Sequence, residues 1–302
     1  MKRIAVLNDL SGMGKCSLTA AIPVISVMGV QACPLPTAVL SAQTGFPSYY
    51  YDDYTGHMGE IMREWKKMNF RPDGIYTGFL AGEKQAERVM EFLDLFQEKS
   101  TKVLVDPVLG DNGEEYPIYT EELCQSMRNL AERASVITPN LTEAMLLLYG
   151  REETHRRWRE MEGYSGGRFK EEVEKMGLEL AGRCQTEVVV TGIDLAGGED
   201  RDASLWGEKD FRDKNSAVKI GNLICRGKDR EWVTAHKEGG SYSGTGDIFA
   251  SVLSAGMVKG TDTVLSVKKA VSFLSRAIHD TVLEGTDRNE GVCFEAYLHE
   301  LR

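Results

Sequence analysis

The sequence lacks paired cysteines, a surplus of basic residues, long apolar runs and any internal repeat, and each absence removes a class of protein. Its six cysteines (Cys16, Cys33, Cys124, Cys184, Cys225 and Cys293) are scattered without a CxxC pair. That spacing offers neither a zinc site nor a disulfide framework for a chain this long, so free thiols in a reducing compartment are expected. The five histidines, His57, His155, His236, His279 and His299, are far apart and are assigned no metal. With 36 basic against 46 acidic side chains the formal charge is −10, the wrong sign for a face that grips a nucleic-acid backbone. A nucleotide ligand is not excluded, because a few backbone N–H groups hold phosphates locally. The first apolar run stops at Leu7, ahead of Asn8 and Asp9. It is too short for a signal-peptide core, and nothing later approaches a membrane span. The expectation is a cytoplasmic protein with no nucleic-acid or membrane partner.

What is present is a chain of 302 residues, 42% hydrophobic and 27% charged, enough to bury a substantial core. Short apolar runs at residues 4–7, 74–79, 103–105, 136–137 and 188–190 read as strands. Between them, Met58, Ile61, Met62 and Trp65 recur at helical spacing, as do Ala86, Val89, Met90, Leu93 and Phe96. Residues 121–133 and 142–149 read as further helices. Strands alternating with helices predict an α/β fold with a mostly parallel sheet covered on both faces, one domain over residues 1–302. Residues 32–54, with Pro34, Pro36, Pro47 and the run Tyr49, Tyr50, Tyr51, exclude a regular helix and read as a flap of strand and loop. Residues 151–170, dense in charge and carrying Gly163, Gly166 and Gly167, read as a solvated insertion or mobile loop. From residue 193 to 241, short β-like pieces at 216–220 and 232–235 are separated by glycines.

The placement of polar residues points to a site. Strand candidates run into Asn8-Asp9, Thr77-Gly78, Asp106-Pro107, Thr138-Pro139-Asn140 and Thr191-Gly192, and ligands of open α/β sheets bind beyond the carboxyl ends of the strands. The sharpest segment is GGSYSGTGD at 239–247, followed by Ile248, Phe249, Val252 and Leu253. It is a glycine-rich loop feeding a buried helix that carries a carboxylate in its first turn. The N–H groups of Gly244, Thr245 and Gly246, with the helix dipole, make an anion hole. Capping alone would account for Asp247 but not for the small residues before it, which suit a close approach of backbone to ligand. Asn140 and Glu143 sit three apart at a helix start, where both reach one end of the crevice; the same spacing is that of a capping box. Residues 11–16, SGMGKC, mimic a P-loop. A Walker A motif needs Gly where Asp9 stands and Ser or Thr where Cys16 stands. The dinucleotide fingerprint also fails, with Ser17 in its third glycine position. A turn beside the substrate remains.

GTGDIFA at 244–250 resembles the signature of the ribokinase-like superfamily. VLVDPVLGDNG at 103–113 and ITPNLTE at 137–143 resemble two further motifs of its pyridoxal kinase branch, as do IYTGF at 75–79 and Gln43-Thr44-Gly45. The resemblance runs from about residue 3 to 285. It implies a ribokinase-like three-layer sandwich, with a mostly parallel central sheet, helices on both faces and a small flap over the C-terminal strand ends. It implies ATP-dependent phosphorylation of the 5′-hydroxyl of a vitamin B6 vitamer: pyridoxal, pyridoxamine or pyridoxine. The alternatives are a hydroxymethylpyrimidine or sugar kinase of the same superfamily, or a non-catalytic nucleotide- or B6-binding protein. By the same resemblance Asp247 is the base, and Gly244, Thr245 and Gly246 hold the migrating phosphoryl group. Asp106, Asn140, Glu143 and Thr191 attend the ATP phosphates, and Glu238, Gly239 and Gly240 border the adenine. Mg2+ enters with ATP and is met by Glu143 through water, while Asp111 and Thr138 resemble positions that hold a monovalent cation, K+ or Na+. On the substrate side Thr44 is kept, and Tyr76 and Phe46 offer an aromatic wall. Asp9 stands where the branch carries a Ser against the pyridine ring, and there it would accept from a ring nitrogen or an amine. Ser41-Ala42-Gln43-Thr44 replaces the more usual Ser-Asn-His-Thr. The implied partners are ATP, a small heteroaromatic alcohol and a second copy of the chain in a homodimer.

Overall fold

The computed structural model describes residues 1–195 and 219–302. Alternation of apolar residues along short strands dictates its layers. In β1 (Arg3–Ser11), Ile4 and Val6 turn to one face while Ala5 and Leu7 turn to the other. All four are fully buried, as expected of a parallel strand covered on both sides. The remaining strands are β2 (Gln31–Leu40), β3 (Tyr51–Asp53), β4 (Gly74–Thr77), β5 (Lys102–Val105), the small hairpin β6 (Gly110–Asp111) and β7 (Glu114–Glu115), β8 (Val136–Ile137), β9 (Glu187–Leu195), β10 (Lys219–Arg226) and β11 (Asp229–His236). Apart from the hairpin they form one nine-stranded sheet in the order β11-β10-β9-β8-β5-β4-β1-β2-β3. The six strands from β9 to β2 in that order are mutually parallel, and β3, β10 and β11 add antiparallel edges.

One face packs against α2 (Thr55–Lys67), α3 (Glu83–Phe96), α4 (Glu121–Ala131), α5 (Leu141–Tyr149), α6 (Arg151–Glu162) and α7 (Gly166–Cys184). The other packs against α1 (Ser17–Val27), α8 (Thr245–Lys259), α9 (Thr263–Glu284) and a C-terminal 3-10 turn (Glu295–Leu301). Helices on both faces of a mainly parallel sheet match the expected sandwich.

Two expectations are corrected. Residues 151–170 are not a solvated insertion or mobile loop: α6 and the start of α7 occupy them. Ion pairs three and four residues apart (Glu153 with Arg156 and Arg157, Arg156 with Glu160) support α6, and its Trp158 packs against the core. The flap is shorter than residues 32–54, because 31–40 is a full strand of the sheet. Pro34 and Pro36 are tolerated there because β3 covers the outer edge of β2 only at Ala38, Val39 and Leu40, which leaves both prolines on an open edge. Of the piece expected at 216–220, residues 216–218 lie outside the described residues, and Lys219 and Ile220 open β10.

Candidate active site

Acidic side chains gather beyond the carboxyl ends of the parallel strands, and Asp9 among them lies beside an irregularity in the β1–β2 pairing. β1 continues through the corner expected at Asn8-Asp9: Asn8 pairs with Pro36 but Leu10 with Val39, so β2 holds one extra residue there. Such a bulge bends a strand and redirects its side chains. Asn8 Oδ1 accepts from the N–H groups of Asp9 and Phe79 at 3.0 and 2.9 Å, and Asn8 Nδ2 donates to Asp247 Oδ1 at 3.0 Å. Gly78 is needed for this fit, since a Cβ there would lie 2.4 Å from Asn8 Nδ2. Asp9 is buried and accepts from the Ser11 and Ser17 hydroxyls at 2.7 and 2.5 Å. Burial raises its carboxyl above the usual range, against those hydrogen bonds.

Asp247 stands in the first turn of α8, yet it does not cap that helix. The cap position is Gly244, in the left-handed region at φ 79° with no side-chain cap. Gly244 is also pressed against the 12–16 turn: a Cβ would sit 2.1 Å from the Lys15 carbonyl oxygen. The Asp247 carboxylate turns away from its own helix to accept from Asn8 and from the Tyr76 hydroxyl at 3.3 Å, with the Ser17 N–H beside it. Burial pushes it up to about 6, the Ser17 N–H pulls it down, and the Asp9 charge adds to the rise. Tyr76 is fully buried, so it serves as a donor to Asp247 where an aromatic wall was expected. The first-turn N–H groups of α8, from Thr245 to Asp247, have no intrahelical partner.

Asp106 follows β5 and accepts from Thr138 Oγ1 at 3.1 Å. Burial, with the Asp247 charge second, pushes it up to about 7. Asn140 and Glu143 form a full capping box at the start of α5: Asn140 Oδ1 accepts from the Glu143 N–H at 2.9 Å, and Glu143 Oε2 accepts from the Asn140 N–H at 2.8 Å. Glu143 Oε1 also accepts from the Leu109 N–H at 3.2 Å, and Asn140 Nδ2 donates to the Gly110 carbonyl at 2.8 Å. The pair therefore caps α5 and ties the β6–β7 hairpin to it. Burial and the nearby Asp106 charge hold Glu143 well above the carboxylate range. Asp111, on the hairpin, is raised by burial and accepts from the main chain and amide of Asn112. Asp9, Asp106, Asp111, Glu143 and Asp247 thus form a chain of mutually repelling carboxyl groups.

Other expected residues lie farther out. Thr191 is inside β9, where the pairing skips between Gly221 and Leu223. Its N–H donates to the Pro139 carbonyl at 2.9 Å, beside Asn140. Thr44 is exposed in the flap, and Gln43 makes the flap's link, donating to Asn289 at 3.2 Å. Glu238 faces His279 at 3.5 Å and Gly239 lies against Val282, both on the flank of α9, with Gly240 exposed next to them. Lys15, the lysine of the false P-loop, is paired with Glu295 at 3.0 Å. Sequence reasoning missed Asn8, Ser11 and Ser17 as partners of the two aspartates. The available signal was a polar residue, Asn8, prolonging a fully buried apolar run.

A model of the phosphomethylpyrimidine kinase family matches residues 14–291. A Bacteroides thetaiotaomicron protein provisionally named phosphomethylpyrimidine kinase is 33% identical over 99% of this chain and 93% of its own, with a TM-score of 0.83. A second crystal form of that protein, with pyridoxal, gives a TM-score of 0.81. A Schizosaccharomyces pombe protein provisionally named pyridoxal kinase is 24% identical over 98% of this chain and 89% of its own. A hydroxymethylpyrimidine/phosphomethylpyrimidine kinase of Staphylococcus aureus is 27% identical over 72% of this chain and 66% of its own. With the match spanning nearly the whole sheet and the glycine loop, the chain belongs to the phosphomethylpyrimidine kinase family and is a ribokinase-like phosphotransferase of the pyridoxal/phosphomethylpyrimidine kinase type.

Proposed function

We propose that the protein phosphorylates the 5′-hydroxyl of a vitamin B6 vitamer with ATP. The observation that carries this reading is Asp247. It is held by two donors, Asn8 and Tyr76, with the Ser17 N–H beside it, at a glycine helix start whose first N–H groups have no intrahelical partner. In that geometry Asp247 takes the proton of the acceptor hydroxyl while its oxygen bonds to the γ-phosphorus and ADP leaves. The N–H groups of Gly244, Thr245 and Gly246 neutralise charge on the phosphoryl oxygens. The pyridoxal bound by the Bacteroides thetaiotaomicron protein supports a B6 vitamer as acceptor.

The acidic chain suits a magnesium ion arriving with ATP, because Asp106, Asp111 and Glu143 are all raised by burial, and Arg288, near Asp111, is the one cation among the described residues that bears on them. A bound divalent cation would bridge and neutralise the nucleotide phosphates. Both Glu143 oxygens already accept from main-chain N–H groups, which favours contact through water. For a monovalent cation, the Thr138 oxygen gives its proton to Asp106 and the Asp111 oxygens accept from Asn112, so both side chains keep lone pairs with which to ligate it. A second reading, hydroxymethylpyrimidine as acceptor, is favoured by the family model and the Staphylococcus aureus relative.

The test is a coupled ADP-release assay against pyridoxal, pyridoxamine, pyridoxine, hydroxymethylpyrimidine and ribose. One B6 vitamer should show the highest kcat/KM. Equal or faster turnover of the pyrimidine would move the substrate to the second reading and leave the kinase chemistry standing.

A further inference from the structure

Ser17 stands between two carboxylates. Its hydroxyl donates to Asp9 Oδ1 at 2.5 Å, and its main-chain N–H lies by Asp247 and lowers that carboxyl. It also opens α1 in the left-handed region, at φ 51°, a conformation that non-glycine residues adopt at a cost and keep only when their surroundings hold them there. The preceding Cys16, the cap residue of α1, makes no side-chain cap bond, so the clamp on this turn comes from Asp9. Asp9 is itself fixed from three directions: by Ser17, by Ser11 at 2.7 Å and through its own N–H to Asn8. Asn8 in turn donates to the same Asp247 oxygen as Tyr76.

We propose that Asp9 is a positioning residue for Asp247, acting through Ser17: the carboxylate pins the strained first residue of α1 and so aims its N–H at the base. This assignment rests on the reading of Asp247 as the base, and it differs from the substrate contact expected of Asp9 from sequence. Both Asp9 oxygens point at serine hydroxyls, and an ionised carboxylate is an acceptor-only group suited to that clamp. Asp9 therefore bears on Asp247 in two opposed ways. Its charge repels the charged base, whereas its grip on Ser17 supplies a donor that favours it.

The titratable groups facing Asp247 are Asp9 on β1, Cys16 before α1, Tyr76 on β4, Asp106 after β5 and Tyr116 beside the hairpin. Cys16 is pushed up to about 12 by burial and Tyr76 is raised well above its ordinary range, so both stay neutral from pH 5 to 8. Within that window the charges that bear on Asp247 are those of Asp9 and Asp106.

The opposed effects give a signature that a merely structural role lacks. Asp9→Asn keeps an acceptor for Ser17 but removes the charge, so the acidic limb of kcat/KM should move to lower pH. Ser17→Gly keeps the backbone conformation, which glycine adopts freely, but releases the turn from Asp9. The limb should then move to higher pH, and kcat should fall by up to about a hundredfold from misplacement of the base. The 13C signal of Asp247, in protein labelled at aspartate carboxyl carbons and assigned with Asp247→Asn, should shift its midpoint in the same two directions. Limbs and midpoints unmoved in both variants overturn the proposal. So does an Asp9→Asn variant whose one change is a higher KM for pyridoxamine, because that marks a substrate contact. If the wild-type protein phosphorylates none of the tested alcohols, the proposed function fails, and the 13C titration by itself decides whether Asp9 governs Asp247.

Discussion

Asp247 occupies a position where a carboxylate ordinarily supports the start of its own helix, and the structure instead turns it toward Asn8, Tyr76 and Ser17. That orientation separates chemistry from stability. In Asp247→Asn the amide oxygen still accepts from Asn8 and Tyr76 and the buried charge is gone, so the melting temperature should not fall. The amide cannot take the hydroxyl proton, and a general base contributes about 10²–10⁴ in rate. Steady-state kinetics on this variant should show kcat at or below about a hundredth of wild type, and a variant retaining a tenth would remove Asp247 from the base role. The loss belongs to kcat because proton transfer is confined to the transition state. The pH profile carries the sign. Burial lifts Asp247 to about 6, so the base is ionised above that pH and protonated below it. Wild-type kcat/KM should fall as pH drops through about 6; a profile flat down to pH 5 would contradict the assignment.

At the scale of elements, glycines record where backbone meets a neighbour, and their replacement should have opposite signs at different sites. Gly113, in the turn of the β6–β7 hairpin at φ 83°, lies under the indole of Trp158, which a Cβ would approach to 2.7 Å. Gly113→Ala is strained in both respects and should lower the melting temperature. Gly182, exposed in α7, has nothing within 4 Å of a built Cβ, so Gly182→Ala should stabilise by about 0.5–1 kcal/mol. Calorimetry on the two variants checks both signs. The Gly113 contact also explains why α6 was illegible in the sequence. Its dense charge suggested solvent, but the charges pair along the helix surface, and one aromatic among them, Trp158, fastens the helix to the β6–β7 hairpin. β2 was misjudged for a related reason. Prolines argue against a central strand, and only the open outer edge of β2 makes Pro34 and Pro36 acceptable. The parallel strands were legible because each is a short apolar run buried on both faces. The glycine loop was legible because GTGD has few structural uses. Ser17 and Asn8 were not, since their partners lie on other elements (Asp9 on β1 for Ser17, Asp247 on α8 for Asn8) and no local pattern announces them.

Across the whole molecule, the parallel sheet delivers several strand ends to one side, and the residues it collects there are mostly acidic. Such an arrangement opposes folding unless something cationic is present, and the sign of the effect follows from the direction of the shifts. Asp247 at about 6, Asp106 at about 7 and Glu143 well above its ordinary value are all raised by burial. Each group binds its proton more tightly when folded than when unfolded. The stability it contributes is therefore complete below the unfolded carboxylate range near 4 and is lost as pH rises through the folded values. Between pH 5 and 8 the nucleotide-free protein should melt at progressively lower temperature, opposite to a protein whose carboxylates are ion-paired. Under the proposed function magnesium arrives with ATP at the folded protein, and it should bind best where the carboxylates are charged. Its rise in melting temperature should accordingly be larger at pH 8 than at pH 5. Alanine at Asp106 should flatten the ligand-free dependence and shrink the magnesium effect together, because one group underlies both. A nucleotide-free melting temperature that climbs from pH 5 to 8, or a magnesium–ATP shift equal at the two ends, would mean that these carboxyls are not held neutral by the fold.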